Sequence, residues 1–469
     1  MDIITGKILK LHQWPEGKII GIAKKIGNQL IEQGLERDIV LERLNKVQQN
    51  PESFQDDPIL TDIACEFIRI KEKEQVAQQD ILLDTPIPYQ IWGQELMEQG
   101  AIEQMAMAMR LPISVAGALM PDAHVGYGLP IGGVLATEHT VIPFAVGVDI
   151  ACRMRLSIYD ASPCLLDQTQ DVFASALRRE TAFGVGAQWR GKQRAEHAVL
   201  EDTAWNATGL LKSLHENAVQ QLGTSGTGNH FVEWGALTLN EPLCDLQPGK
   251  YLALLSHSGS RSVGFKIAER YSKLAMELHP TLDKSVRHLA WLDLDSEAGQ
   301  EYWLSMELAG RFSAANHAII HQRVAAAAGL EEAAAVENHH NFAWRETLAN
   351  SKEVVVHRKG ATPAGAGVLG VIPGSMGDLG YVVRGRGVSA ALNSASHGAG
   401  RIMSRKVAMN SISKSERDVY LRERGVSLLG GGLDEAPQAY KPIATVMAAQ
   451  QDLVDIMGSF KPRIVKMAN

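Results

Sequence analysis

Between residues 111 and 152 the chain reads LPISVAGALMPDAHVGYGLPIGGVLATEHTVIPFAVGVDIAC. This stretch constrains the fold most. It is apolar almost throughout, yet proline, aspartate, histidine and glycine interrupt it before any run reaches the ~18 residues that cross a bilayer. Short apolar runs joined by glycine turns read as buried strands, or as loops packed close to other backbone. The chain must therefore enclose this segment in a large core, and 469 residues are enough to do so. The segment also ends on GVDIACRM, which sets Asp149 three residues before Cys152.

The rest of the chain falls into two styles. Residues 1–84 carry helix-like stretches such as IIGIAKKIGNQLIEQGL and DIVLERLNKVQQN, with apolar residues at three- and four-residue spacing. The charged run KEKEQVAQQD at 71–80 reads as a solvated helix end or linker. We expect a helical N-terminal extension here and one large compact catalytic domain over 85–469. In the second part, PIPYQIW predicts an extended piece followed by a helix. Long helices are expected near 267–278 and 298–329, glycine-rich turns at 359–400, and helical patterns near 440–457. The fold class is α+β.

Composition excludes several function classes. Charged residues make up 21% of the chain and hydrophobic ones 45%, so it is globular rather than disordered. A net charge of −7 argues against a wholly basic surface, although a local arginine groove can still bind nucleic acid. Four cysteines without a CxxC pair do not form a disulfide framework. With no signal-peptide pattern at the N-terminus, the expected location is the cytoplasm, with no membrane partner.

Four histidines stand apart among fifteen. His230 ends GTSGTGNH, His257 opens HSGSRSVG, His340 lies in NHHNFAW, and His397 lies in NSASHGAGRIMSR. Each is flanked by small residues that let backbone approach a ligand closely. With Asp149 and Cys152 they make a mixed oxygen, nitrogen and sulfur set suited to zinc, manganese, iron or cobalt. The plain alternative is a buried thiol beside a capping aspartate. HSGSR and HGAGRIMSR also offer glycine-exposed N–H groups, hydroxyls and guanidinium forks to a phosphate. Solvated turns are the alternative there. The chain has no GxxxxGK[ST], so a P-loop is excluded.

Taken in order, MPDAHVGYGLPIGGVLAT, VIPFAVGVDIACRM, GTGNHFVE, HSGSRSVG, HHNFA, HRKGAT, IPGSMG, SHGAGRIMSR and DEAPQAYKP…FKPRIVKM closely resemble the RtcB family of GTP- and manganese-dependent RNA ligases. The resemblance runs from about residue 85 to the C-terminus. It implies joining of a 3′-phosphate or 2′,3′-cyclic phosphate RNA end to a 5′-hydroxyl end, in RNA repair or tRNA splicing. It implies that Cys152 bridges two Mn²⁺ ions, with Asp149 and His230 on one and His257 and His340 on the other. His397 would carry GMP. Asn229, Glu233, Ser375, Ala399, Gly400, Tyr440 and Lys466 match nucleotide-side positions, and Arg261 and Arg405 match candidates for RNA or phosphate binding. RNA and GTP would be the ligands, and some family members work with a small activator, archease. Arg153 departs from the family's usual glycine and could alter substrate fit or meet a phosphate. The rival reading keeps the metals and changes the reaction, to a metal-dependent phosphodiesterase or nucleotidyltransferase.

Overall fold

The computed structural model describes residues 3–468. The chain divides between Ile81 and Leu82 into two compact units. The first is built from helices Gly6–Leu11, Lys18–Glu32, Arg37–Gln49 and Thr61–Gln79. Their apolar stripes meet in a core that includes Leu9, Ile19, Leu44 and Phe67. Trp14 packs edge-on against Phe67 with centroids 4.8 Å apart, and its indole N–H donates to Asn45. The charged run at 71–80 is the end of the last of these helices.

Two sheets organise the second unit. One has five strands, in the order Gln90–Ile91, Ser114–His124, Ile131–Thr137, Glu353–Lys359 and Asn341–Thr347. It takes up the apolar 111–152 segment and packs against helices that include Arg261–Leu278 and Glu297–Ala328. The 32-residue helix is capped by the Ser296 hydroxyl, which accepts from Gly299 N, and ends on Gly329 in the left-handed conformation.

The other sheet runs Leu369–Ile372, Gly380–Gly385, Val454–Met467, Phe231–Leu239, Gly249–Ser258, Arg153–Tyr159 and Ala334–His339. The short strand Ser427–Leu428 pairs alongside Val454–Met467. Its two edge strands are tied by the Asn338 side chain, which donates to Val371 O (3.3 Å) and accepts from Val371 N (2.8 Å). The sheet therefore curls around an apolar interior containing Met154, Leu156, Leu237, Leu255, Val371 and Phe460.

One expectation fails. Only Ile443–Ala448 is helical in the 440–457 region, and Val454–Met467 is a fourteen-residue strand inside the sheet. Pro462 lies within this strand. The sheet accommodates it at a register shift between Pro462 and Ile464, where a missing N–H breaks no regular ladder.

Candidate metal and nucleotide centre

Strand register brings the distant motifs together. Met154 and Phe231 both lie opposite His257, Phe231 also lies opposite Met467, and Arg153 lies opposite both Ser258 and His339. Residues one step beyond these pairs, Cys152, His230 and His340, consequently meet His257 at one end of the curled sheet. The Cys152 thiol lies 3.0 Å from His257 Nε2 and 3.4 Å from His230 Nε2. His257 Nε2 and His340 Nε2 are 3.1 Å apart, and His230 Nε2 is 2.8 Å from Asp149 Oδ2.

The turn bearing Asp149 and Cys152 is held from several sides. Ser260 donates to Ile150 O, Ser313 to Ala151 O and Asn341 to Asp149 O. A side chain at Gly259 would put its Cβ 2.0 Å from Asp149 Oδ1, so only glycine admits the carboxylate there. Ala151 takes a positive φ of 55°, a strained conformation that this turn sustains.

The electrostatics suit a cation. Burial holds His257 at about 3 and His340 well below its ordinary pKa, so both imidazoles are neutral and able to coordinate. His257 donates its Nδ1–H to Asn229 O at 3.1 Å, which leaves the lone pair on Nε2. Burial, and then the Asp149 carboxylate, pushes the Cys152 thiol well above its usual range. Asp149 itself stays ionised near 2, because His230 and Arg261 outweigh its burial. His340 Nδ1 is buried with no partner. Lone-pair atoms crowded within hydrogen-bond distance beside a carboxylate form a donor set that a divalent metal fits, since one cation satisfies them together. Cys152, His230 and His257 present ligand atoms that all lie within 4.8 Å of one another.

His397 stands next to this cluster, its ring 4.9 Å from that of His340. Its Nδ1–H donates to Asp122 Oδ2 at 2.6 Å, and its backbone N–H reaches the same oxygen at 3.2 Å. Asp122 is fully buried. Burial opposes its ionisation, but His397 and Lys441 hold its pKa below the ordinary value. Lys441 anchors the backbone on either side by donating to Pro121 O and Ala123 O. Sequence reasoning missed Asp122, although it lies inside the MPDAH motif. The available signal was a lone carboxylate in an otherwise apolar strand, which demands a buried partner.

A cleft opens beside His397, lined by Asn229, Ser375, Ala399, Gly400, Arg405 and Tyr440, among others. Gly400 has φ +71° and sits so close to the Asp122 carbonyl that a Cβ would lie 2.1 Å from it. Arg405 and Arg401 both pair with Glu435, which also accepts from the Tyr440 hydroxyl. Ser375 donates to Asp378 at 2.5 Å, and Tyr420 holds Asp378 from the other side at 2.6 Å. Arg261 does not line this cleft; its NH1 lies 3.2 Å from His230 Nδ1, behind the cluster's imidazole. Glu233 is buried, and burial raises its pKa well above the carboxylate range.

Lys466 is not brought to the cleft. Its ammonium donates to the carbonyls of Leu177, Arg178 and Thr181, closing the end of the helix Gln170–Glu180. Side chains alternate along a strand, so the neighbouring Met467 faces the cleft instead.

Comparison with known proteins agrees with this geometry. Residues 104–467 match the family model described as tRNA-splicing ligase RtcB. The chain belongs to the RtcB family. The RNA-splicing ligase RtcB1 of Escherichia coli strain ATCC 25922 is 32% identical over 408 residues, spanning 81% of this chain and 97% of the relative. RtcB of Escherichia coli K12 is 31% identical over 411 residues with the same coverage. The tRNA-splicing ligase RtcB of Archaeoglobus fulgidus is 28% identical over 449 residues, covering 77% of this chain and 88% of the relative. The RtcB match begins beyond the helical unit that ends at Ile81.

Proposed function

We propose that this chain is an RNA ligase that joins a 3′-phosphate or 2′,3′-cyclic phosphate end to a 5′-hydroxyl end through GMP carried on His397. Residues 85–469 are the ligase domain in this reading, and 1–84 an appended helical segment. The observation that carries it is the Asp122–His397 hydrogen bond beside the Cys152 cluster. A buried carboxylate that accepts Nδ1–H keeps the lone pair on Nε2, as a nucleophilic imidazole requires. A metal-dependent phosphodiesterase would use the cysteine–histidine cluster but leaves this pair without a task.

Cys152, Asp149, His230, His257 and His340 would hold two Mn²⁺ ions, which would supply charge neutralisation for the phosphates. The donor set alone also suits zinc, so the choice of manganese rests on the family. His397 Nε2 attacks the α-phosphorus of GTP, the N–P bond forms, and pyrophosphate leaves with its electron pair. An oxygen of the RNA 3′-phosphate then takes the GMP, and the lone pair returns to Nε2. Attack by the 5′-hydroxyl oxygen on that activated phosphorus expels GMP and closes the strand. A cyclic phosphate is opened by water first. Arg401 and Arg405 place guanidinium forks at the phosphate side of the cleft, with Glu435 holding them meanwhile. In this reading Asn229, Ser375, Ala399, Gly400 and Tyr440 supply the nucleotide seat, the buried Glu233 supports it, and Arg261 joins Arg405 in binding RNA phosphate. Four free thiols, three of them exposed, fit a reducing cytoplasmic setting.

The test is covalent labelling. Wild type incubated with α-labelled GTP and Mn²⁺ acquires acid-labile label, and His397→Ala does not. No label on wild type overturns the guanylate mechanism. Multiple-turnover ligation is then measured with and without an archease-type activator, the partner that the family resemblance implies.

A further inference from the structure

A second cleft reaches His397 from another side. Ile131, Asn229, His340 and His397 line both clefts, but the second is bounded by Tyr127, Phe144, Val148, Asp149 and Cys152 instead of the nucleotide seat. At its rim the chain displays an aromatic ring. Tyr127 is 74% exposed. The backbone beneath it, however, is fixed. Gly126 exchanges two hydrogen bonds with the Gln104 amide, at 2.6 and 3.0 Å, and Val125 N donates to Glu98 at 2.7 Å. The Tyr127 carbonyl accepts from Lys359. Its ring contact with His288 is edge-to-face with centroids 6.4 Å apart, so His288 does not stack on it.

A large ring held in solvent on a pinned backbone has given up the stabilisation that burial brings, and among the described residues the ring contact it makes is the edge-on one with His288. What it offers is a stacking surface. Every nucleobase has an apolar face, and unpaired ends are held on such aromatic platforms without regard to sequence. The RNA phosphate must reach His397 Nε2 while GMP occupies the first cleft, so the strand has the second one to enter by. From these observations we infer that Tyr127 stacks on the terminal base of the 3′-phosphorylated RNA strand and that the enzyme selects an unpaired 3′ end. The inference rests on the ligase reading above.

The experiment uses the full chain, GTP, Mn²⁺ and short RNA strands. Tyr127→Ala raises KM for the 3′-phosphorylated strand by roughly 5- to 100-fold, the range for losing one base–aromatic stack, while kcat changes far less. Tyr127→Trp keeps the wild-type KM. On a strand whose 3′-terminal nucleotide lacks its base, wild type and Tyr127→Ala have the same KM. Equal KM values on the intact strand overturn the inference. So does a gap that persists on the abasic strand, or one that closes only when the base is removed from the 5′-hydroxyl strand. Failure of the ligase reading looks different, since wild type itself then joins no ends.

Discussion

Asp122→Asn tests the nucleophile directly. Asp122 Oδ2 accepts both the ring Nδ1–H and the backbone N–H of His397. The amide has the same shape but one acceptor oxygen and one donor nitrogen. If its oxygen takes the Oδ2 position it still accepts both N–H groups, and its NH₂ falls where Oδ1 has no partner, so what is lost is the negative charge beside the ring. Losing a charge-assisted hydrogen bond costs about 1.5–3 kcal/mol. The imidazolium that develops on attack then faces a neutral amide oxygen, so the penalty is roughly 1.5–3 kcal/mol, or about 10- to 150-fold in rate. Single-turnover transfer of label from α-labelled GTP reads it. Nucleotide affinity should stay within about threefold, because Asp122 does not line the nucleotide cleft. The fold should hold, since Asp122 Oδ1 already lacks a partner and an uncharged amide is cheaper to bury. Guanylation within about fivefold of wild type, at unchanged nucleotide affinity, would refute the reasoning.

Three further outcomes follow from other parts of the centre. Cys152→Ala should lose both metals rather than one by elemental analysis, and retention of two ions per chain contradicts the bridging role. Lys466→Ala should lower thermal stability by about 0.3–1 kcal/mol, the worth of a cation at a helix C-terminus, with KM for GTP unchanged. A tenfold rise in that KM without loss of stability would return Lys466 to the nucleotide. Burial raises the Glu233 pKa, so the carboxyl adds no instability below the unfolded value near ~4.3. As pH rises past that point the unfolded chain ionises and the native one does not, and stability falls until the native pKa is reached. Metal-free Glu233→Gln should therefore melt higher than wild type at pH 8 and level with it at pH 4, and an equal gap at both pH values defeats the argument.

The candidate donors were legible because each sits in its own short motif of small residues, a local property, and their reading as one ligand set came from the family resemblance. The convergence of those motifs was not, since it depends on strand register: only pairing of Phe231 and Met154 with His257 puts Cys152, His230 and His340 side by side. Asp122 escaped for the same reason, its partner lying 275 residues away. Lys466, expected on the nucleotide side, points to the carbonyls of Leu177, Arg178 and Thr181, because a motif fixes position along a strand but not the face. Near the C-terminus the helical pattern expected to 457 gives way to the strand Val454–Met467, whose Pro462 sits at a register shift.

Arg153 shows the same period working in the site's favour. A cation next to the thiolate proposed to bridge two metal ions would repel them if both side chains faced the same way. The strand Arg153–Tyr159 prevents this. Met154 turns toward the nucleotide cleft and the sheet interior, with Leu156 and Ile158 following it inside. Arg153, Arg155 and Ser157 point to the opposite face. There Ser157 meets His321 of the long helix, Arg155 pairs with Glu332 and Glu337, and Arg153 pairs with Glu337 at 3.2 Å. Arg153 lines neither cleft. The departure from glycine is tolerated because a carboxylate two strand positions from the corner, Glu337, meets the guanidinium on the far side of the sheet. A family position occupied by the smallest side chain can thus accept a long one without changing the chemistry, provided that the strand aims it away from the metals and supplies its counter-charge there.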